Sequence, residues 1–149
     1  MDQININDLI LTPLRKIKNP KGEVLHGLKN SEKSFSGFGE AYFSKIDYNK
    51  IKGWTIHKEM TLNLIVPLGQ VMFIIYDDRI KSNSRGNFNK IVLSNSNYQR
   101  LTVPPKLWVA FKGISKSSNL ILNIANLKHN PLEMEKLPLN KIKYNWNST

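Results

Sequence analysis

A chain of 149 residues, of which 40% are hydrophobic and 22% charged, has the size and composition of one globular domain, and no apolar run is long enough to cross a bilayer. The absence of cysteine excludes disulfides, thiolate nucleophiles and Cys-based metal sites, and the first residues lack the pattern of a signal peptide, so we expect a single cytoplasmic domain over residues 1–149. Twenty-two Lys and Arg against eleven Asp and Glu give a net charge of +11, which favours an anionic partner.

Eight short segments rich in Ile, Val, Phe, Tyr and Thr predict strands at 40–46, 51–60, 61–66, 70–77, 88–94, 100–103, 107–112 and 120–125. Their spacing of about ten residues is typical of a sandwich or barrel. Residues 67–69 (PLG) predict a tight turn, and only residues 131–137 have the composition of a short helical turn. The sequence therefore predicts an all-β fold.

Strand alternation separates the side chains of the second predicted strand into two faces. A period of two assigns Thr55, His57 and Glu59 to one face and Trp54, Ile56 and Met60 to the other. His57 is therefore expected to point away from the apolar stripe.

Two asparagines lie among apolar residues in predicted strands. Asn63 follows Leu62 and precedes Leu64, and Asn123 lies between Leu122 and Ile124. A buried amide is costly unless it is hydrogen-bonded. Each Asn is therefore either a satisfied core amide or a polar group that lines a pocket, and both interpretations stay open.

Several motifs, in their order and separation, resemble the cupin-type dTDP-4-dehydrorhamnose 3,5-epimerases. They are residues 53–57 (GWTIH), 66–71 (VPLGQV), 76–79 (YDDR), 93–105 (LSNSNYQRLTVPP), 129–133 (HNPLE) and 142–146 (IKYNW). The resemblance spans about residues 20–146. It implies a cupin jelly-roll barrel, commonly a dimer formed by strand exchange, with a pocket for a sugar nucleotide inside the barrel.

The resemblance also implies a mechanism. In this family a His removes the proton next to a 4-keto group, nearby donors stabilise the enolate, and an acid, often Tyr, returns a proton from the other face. His57 matches the base by position.

Three of the family's four catalytic functions are altered in this sequence. A second His of the family falls on Val109, the proton-donating Tyr falls on Asn123, and the Asp that partners the base falls near Leu137. Epimerisation at one carbon, a related keto-sugar isomerisation and loss of catalysis therefore all remain open.

The predicted catalytic residues are His57 as base, Asn123 as a partner of the enolate, and Tyr98 as a replacement for the absent phenol. A Tyr on a strand is also typical of packing with a satisfied hydroxyl, and that interpretation of Tyr98 stays open.

The predicted substrate-binding residues are Lys21, Lys52, Trp54, Glu59 and Asn63. Lys21 stands in place of the arginine in the family's early Arg-Gly motif, and Trp54 in place of the arginine three residues before the base. A lysine binds phosphate as a point charge without the planar two-pronged contact of arginine. Glu59 either polarises substrate or is exposed, and Trp54 either lines the pocket or packs in the core.

The sequence predicts no metal and no cofactor. Metal-binding cupins need a His-x-His motif and a later His. Here the first motif keeps only His57 and the second has Val109, while His26 and His129 fall in predicted loops.

The positive charge indicates a solvated basic surface more than a nucleic-acid site, because eighteen of the bases are Lys scattered from Lys16 to Lys143. We therefore expect neither a nucleic-acid nor a membrane partner. The predicted function is that of a homodimeric isomerase acting on a nucleotide-linked 4-keto-6-deoxy sugar in surface polysaccharide synthesis. The alternative is a cupin that binds a sugar or sugar nucleotide without turning it over.

Overall fold

The computed structural model describes residues 3–147, most of which lie in short strands and the turns between them. The strands are β1 (Ile10–Pro13), β2 (Lys16–Ile17), β3 (Val24–Leu25), β4 (Glu40–Lys45), β5 (Ile51–His57), β6 (Leu62–Leu68), β7 (Gln70–Tyr76), β8 (Phe88–Ser94), β9 (Gln99–Val103), β10 (Trp108–Gly113), β11 (Leu120–Ala125) and β12 (Met134–Lys136). Two 3₁₀ turns occupy Pro131–Glu133 and Leu139–Lys141.

Ten of the strands form two antiparallel sheets. The first sheet has the order β1-β9-β6-β11-β4, the second has the order β12-β5-β10-β7-β8, and β2 pairs with β3 separately. From β4 to β11 the chain changes sheet at every connection except the β7–β8 hairpin. This topology is a jelly roll and confirms the all-β fold predicted from the sequence.

The hydrophobic core lies between the two sheets, and β7 shows how it is built. Val71, Phe73 and Ile75 point into this core, whereas Met72 and Ile74 point to the outer face of the second sheet. All five side chains are buried. The strand therefore reads as a continuous apolar run rather than an alternating one.

The outer face of the second sheet is buried because the C-terminal segment, residues 137–146, packs across it. Trp54 of β5 is fully buried there, its indole N–H donates to the carbonyl of Leu139 at 3.3 Å, and its ring lies 5.9 Å from that of Trp146. Trp54 is thus a core residue of this face, and the prediction that it contacts substrate is wrong.

Gly69 alone connects β6 in the first sheet to β7 in the second. Gly69 has φ of +81°, and a Cβ built on it would lie 2.1 Å from the carbonyl oxygen of Ser118. Only glycine fits this position without strain. The predicted turn at 67–69 is narrower than expected, because Pro67 and Leu68 belong to β6.

The helical turn predicted at 131–137 is confirmed for its first three residues only. Pro131–Glu133 is a 3₁₀ turn, whose first amide is capped because Asn130 Oδ1 accepts from the N–H of Leu132 at 3.0 Å. Residues 134–136 instead form β12 at the edge of the second sheet. Pairing with β5 outweighs the local helix preference of this Glu- and Met-rich segment. Within residues 3–147 no helix has the length and apolar character needed to cross a membrane.

The predicted alternation along β5 holds as far as His57. Trp54 and Ile56 pack on the outer face of the second sheet, but Met60 belongs to the core between the two sheets. The strand ends at His57 and the chain bends at residues 58–59, which resets the alternation. The assignment of Met60 to the Trp54 face is therefore wrong.

A buried carboxylate fixes the loop after β7. Asp77 is fully buried and accepts hydrogen bonds from the hydroxyls of Ser82 and Ser84, each at 2.6 Å, and from the guanidinium of Arg79 at 3.0 Å. Burial alone would raise the pKa of Asp77, but these hydrogen bonds outweigh it and hold that pKa well below its usual value. Arg79 also donates to the carbonyl of Asn7, which ties the N-terminal segment to the loop.

Replacing this carboxylate is expected to destabilise the fold. Asp77→Asn removes a charge-assisted acceptor and places an NH₂ group against Arg79, which should lower the free energy of unfolding by about 2–3 kcal/mol in urea titrations. Asp78→Asn is the matched control, because Asp78 pairs with Arg85 where both side chains are about half exposed. The control should lose at most about 1 kcal/mol, and equal losses would contradict this role of Asp77.

Candidate active site

A cavity of about 510 Å³ is lined by residues of both sheets, a volume in the range of small-molecule sites. Its apolar wall includes Leu62, Leu64, Phe73, Val109 and Ile121. Its polar wall includes Tyr42, Ser44, Thr55, His57, Asn123 and His129. A mostly apolar hollow with a few converging polar groups is the usual form of a ligand site.

His57 reaches this cavity because of its place on β5. The strand period puts Thr55 and His57 on the inner face, opposite Trp54. The imidazole is only 12% exposed. His57 therefore faces the cavity in a partly desolvated position, as expected from the sequence.

A buried carboxylate holds the imidazole of His57. Its Nδ1 forms a short hydrogen bond with Oε1 of Glu133, whose side chain is 8% exposed. The other oxygen, Oε2, accepts from the backbone amides of Glu59 at 3.1 Å and Met60 at 3.2 Å. The β12–β5 register, in which Met134 pairs with His57, brings these groups together.

The environment of Glu133 keeps it ionised. Burial opposes ionisation, but the hydrogen bonds from His57 and from two backbone amides outweigh it and hold the pKa of this carboxyl below its usual value. An ionised carboxylate can only accept hydrogen bonds. The proton therefore lies on Nδ1 of His57, and this N–H donates a hydrogen bond to Glu133. The other ring nitrogen, Nε2, is then the one that can accept a proton.

A second polar pair lies on the first sheet. Asn123 lines the cavity, its Oδ1 accepts from the backbone N–H of Asn63 at 3.2 Å, and its Nδ2 donates to the hydroxyl of Tyr42 at 3.0 Å. Tyr42 also lines the cavity. The cavity thus has the imidazole of His57, backed by the carboxylate of Glu133, on one wall and a phenol–amide pair on the other.

No family model matches the chain. A solved dTDP sugar isomerase from Desulfovibrio desulfuricans G20 is 32% identical to it and superposes with a TM-score of 0.93, over 97% of this chain and 94% of that one. The chain belongs to the dTDP-sugar epimerase and isomerase family. The resemblance found in the sequence is confirmed.

Two further proteins are similar to this chain, one in fold and one in sequence. The dTDP-4-dehydrorhamnose 3,5-epimerase of Elizabethkingia anophelis has the same fold, with a TM-score of 0.84 at 15% identity, over 99% of this chain and 85% of that one. The probable low-salt glycan biosynthesis epimerase Agl13 of Haloferax volcanii is 25% identical over 121 residues, which are 80% of this chain and 78% of that protein.

One departure from the family pattern is smaller than the sequence suggested. The base partner was expected to be lost because the family's Asp falls near Leu137. The structure supplies a carboxylate from Glu133 instead, four residues earlier in the chain. The chain thus lacks the family's Asp near Leu137 but has a different carboxylate at Nδ1 of His57.

The two asparagines that the sequence left open take different roles. Asn63 is 2% exposed, its Oδ1 accepts from the hydroxyl of Thr102 at 2.7 Å, and it does not line the cavity. It is a satisfied core amide, so its predicted contact with substrate is wrong. Asn123 lines the cavity, as the other interpretation required.

Tyr98 lies away from the cavity in this family member. Its hydroxyl donates to the carbonyl of His26 at 2.7 Å, and burial raises the pKa of the phenol. Both features make it a poor proton donor to a ligand at His57. The prediction that Tyr98 replaces the missing phenol is wrong.

The three charged residues predicted to bind substrate are dispersed. Lys52 lines the cavity, and its Nζ donates to the carbonyl of Lys45 at 2.7 Å. Lys21 is exposed in a turn and does not line the cavity. Glu59 is exposed beyond the end of β5, and only its backbone N–H contributes, through Glu133.

The sequence interpretation missed four residues that the fold brings to the site: Tyr42, His129, Glu133 and Lys136. The period of two on the predicted strand 40–46 would have grouped Tyr42 with Glu40 and Ser44, which also line the cavity. Glu133 is 76 residues from His57, and only the pairing of β12 with β5 brings the two together. No local sequence pattern predicts that pairing.

In residues 3–147, no three His, Asp or Glu side chains are grouped so that they could hold a metal ion. His57 has a carboxylate at Nδ1, and His129 is the other imidazole that reaches the cavity.

A larger, more open groove of about 740 Å³ lies elsewhere, against Ile56 and Trp108 on the outer face of the second sheet. Arg79 lines it but is committed to Asp77 and Asp8. It is on the opposite side of the sheet from His57. The smaller cavity, which is lined by the imidazole that Glu133 holds, is the better candidate for an active site.

The Glu133 contact should contribute to stability in a pH-dependent way. A carboxyl whose pKa is lower in the folded than in the unfolded chain stabilises the fold above its unfolded value, which is near 4.5 here, and this contribution is lost as the pH falls through the folded value. Glu133→Gln should therefore cost about 2 kcal/mol in urea unfolding at pH 7, and the difference from the unmodified protein should shrink at about pH 3.

The control for this experiment is Glu135→Gln. Glu135 is 60% exposed and pairs with Lys58 on the surface, so its loss should change stability by less than about 1 kcal/mol at either pH. A pH-independent loss for Glu133→Gln would contradict the ionised state assigned to Glu133.

Proposed function

We propose that this protein is an epimerase or isomerase that removes a proton from the carbon next to the keto group of a nucleotide-linked 4-keto-6-deoxy sugar, in the synthesis of a surface polysaccharide or glycan. The observation that carries the proposal is the His57–Glu133 pair in a cavity large enough for a hexose. The names of the relatives, a dTDP sugar isomerase and a glycan biosynthesis epimerase, support the substrate class and the setting.

The proposed chemistry begins with a neutral imidazole. Glu133 fixes the tautomer of His57, so that Nε2 accepts the proton from carbon while Nδ1–H stays on the carboxylate. The imidazolium that forms is stabilised by the negative charge behind it. The electron pair of the broken C–H bond moves to the keto oxygen and gives an enolate, which needs hydrogen-bond donors such as the hydroxyl of Thr55.

The diphosphate of a nucleotide sugar needs cations at the pocket. Lys52 and Lys136 both line the cavity and are exposed, so they reach solvent and ligand alike. Lysine neutralises phosphate as a point charge. The surface charge of +11 adds a salt-dependent attraction for the anionic substrate.

A binding protein without catalysis is not favoured by this geometry. Burying an ionised carboxylate costs free energy unless it is fully compensated. The hydrogen bonds that compensate the burial of Glu133 include the one that fixes a nitrogen of an imidazole facing the cavity. A sugar-binding site needs no such arrangement, whereas a general base does.

The base is tested by hydrogen exchange. The protein is incubated with dTDP-4-keto-6-deoxyglucose in deuterated water, and the C3 and C5 proton signals are followed by NMR. His57→Gln, which keeps a donor for Glu133, should slow their loss by about 10²–10⁴-fold. The control His26→Gln changes an imidazole that does not line the cavity and should leave the rate unchanged.

This experiment also separates the two candidate functions. Saturable binding of the nucleotide sugar without exchange in the unmodified protein would favour a binding module and contradict the proposal. Exchange that survives His57→Gln would contradict the assignment of the base.

The protein is expected to act as a homodimer formed through its N-terminal strands, as the family resemblance implies. β1 is an edge strand, and Ile10, Ile17 and Val24 are 43%, 38% and 55% exposed. Ile17 and Val24 are paired across the β2–β3 ladder, and adjoining exposed apolar side chains indicate a protein contact. The cytoplasmic location stays a prediction.

Light scattering tests the dimer. The unmodified protein should have twice the mass of one chain, and Val24→Glu should reduce it to one. Ile80→Glu is the control, because Ile80 is 81% exposed in the groove on the other side of the second sheet and should not change the mass. A monomeric unmodified protein would contradict this proposal and leave the chemistry at His57 unaffected.

A further inference from the structure

We propose that Tyr42 is the proton donor of this site, acting on the face of the sugar opposite His57, and that Asn123 is the residue that positions it. The inference rests on the proposed function and adds its second catalytic group. It also selects epimerisation, in which a proton leaves one face of a carbon and another arrives on the opposite face.

The two groups come from opposite walls. His57 lies on β5 in the second sheet, and Tyr42 lies on β4 at the edge of the first sheet. Both side chains line the same cavity. A flat enolate held between the sheets therefore presents one face to the imidazole and the other to the phenol.

The hydrogen bonds of Asn123 determine which way the phenolic proton points. Its Oδ1 accepts from the backbone N–H of Asn63, which fixes the orientation of the amide. Its Nδ2 then donates to the oxygen of Tyr42 at 3.0 Å. Because Tyr42 accepts in this contact, its own O–H remains to be donated to a group in the cavity.

The position of this pair is set by backbone register and not by a flexible loop. Asn123 and Tyr42 are direct cross-strand partners in the β11–β4 ladder. Side chains paired in this way lie close enough to contact without rearrangement. A proton donor needs this kind of fixed placement, because a small displacement lowers the rate of transfer steeply.

Other cavity groups fit the role less well. Ser44 and Thr55 are alcohols, which are far weaker acids than a phenol, and Thr55 lies on the same strand as His57. Lys52 and Lys136 are the cations proposed above for the diphosphate. His129 is the remaining rival, but within residues 3–147 no hydrogen bond orients its ring.

The proton balance of the step is complete. Nε2 of His57 takes the proton from carbon, and the enolate forms. The O–H bond of Tyr42 then breaks, its proton bonds to the same carbon from the other face, and the electron pair returns from the enolate. The phenolate left behind keeps the hydrogen bond from Asn123, and solvent restores both groups to their starting states.

The test compares exchange with inversion in deuterated water, using dTDP-4-keto-6-deoxyglucose. Tyr42→Phe should still exchange the substrate proton through His57, which returns deuterium to the same face, while epimer formation falls by about 10²-fold or more. Tyr48→Phe is the matched control, since Tyr48 is a similarly exposed phenol outside the cavity, and it should retain both rates.

Asn123→Leu tests the positioning role. It should lower the ratio of epimer formation to exchange, a ratio that general loosening of the fold would not change selectively. Circular dichroism melting confirms that each variant is folded.

The outcomes distinguish this inference from the function on which it rests. Epimer formation at the unmodified rate in Tyr42→Phe overturns the inference alone, as does a selective loss of inversion in His129→Asn. Exchange without any epimer in the unmodified protein also overturns it, because a ketoisomerisation with one base needs no second donor. No exchange in the unmodified protein overturns the proposed function and this inference together.

Discussion

The site depends on the pairing of β12 with β5, which places a carboxylate against an imidazole 76 residues away. The pairing is held on both sides of His57, since the N–H of Lys58 donates to the carbonyl of Glu133 at 2.7 Å and Trp54 exchanges two backbone hydrogen bonds with Leu137. Glu133 is thereby locked into one register. An ionised carboxylate in this position is tolerable because the bend after β5 turns two backbone amides towards it.

The same strand serves stability on one face and chemistry on the other. Trp54 is sealed under the C-terminal segment, while the next inward residues, Thr55 and His57, face the cavity. Because the segment that covers Trp54 continues directly from β12, burial of the outer face and placement of Glu133 are coupled. Loosening the C-terminal segment would therefore disturb the His57–Glu133 contact as well as the core.

The sequence predicted those features that depend on local pattern. Strand positions from residue 40 to residue 125, the all-β class and the placement of His57 on the face opposite Trp54 follow from the period of two and from turn residues, whereas the pocket on that face was implied by the family resemblance. The sequence could not predict which of Asn63 and Asn123 lines the cavity. Both are amides among apolar neighbours, and only the sheet pairing determines which one faces the cavity. The prediction for Tyr98 was wrong for a related reason. Its hydroxyl donates to the carbonyl of His26, and the sequence around His26 has no strand or turn pattern that predicts this contact. Short edge strands such as β12 were missed because their pairing partners, and not their own residues, make them strands.

Two groups that the family resemblance implies are present in this chain at positions other than the expected ones. The resemblance places the carboxylate partner of the imidazole near Leu137, whereas in the structure Glu133 provides the carboxylate at Nδ1 of His57. The expected phenol was sought at Asn123, and the phenol that lines the cavity is its cross-strand neighbour, Tyr42. An aligned position that lacks the expected residue is therefore weak grounds for assigning loss of activity in a β-barrel, because every inward position has neighbours on adjacent strands that reach the same volume.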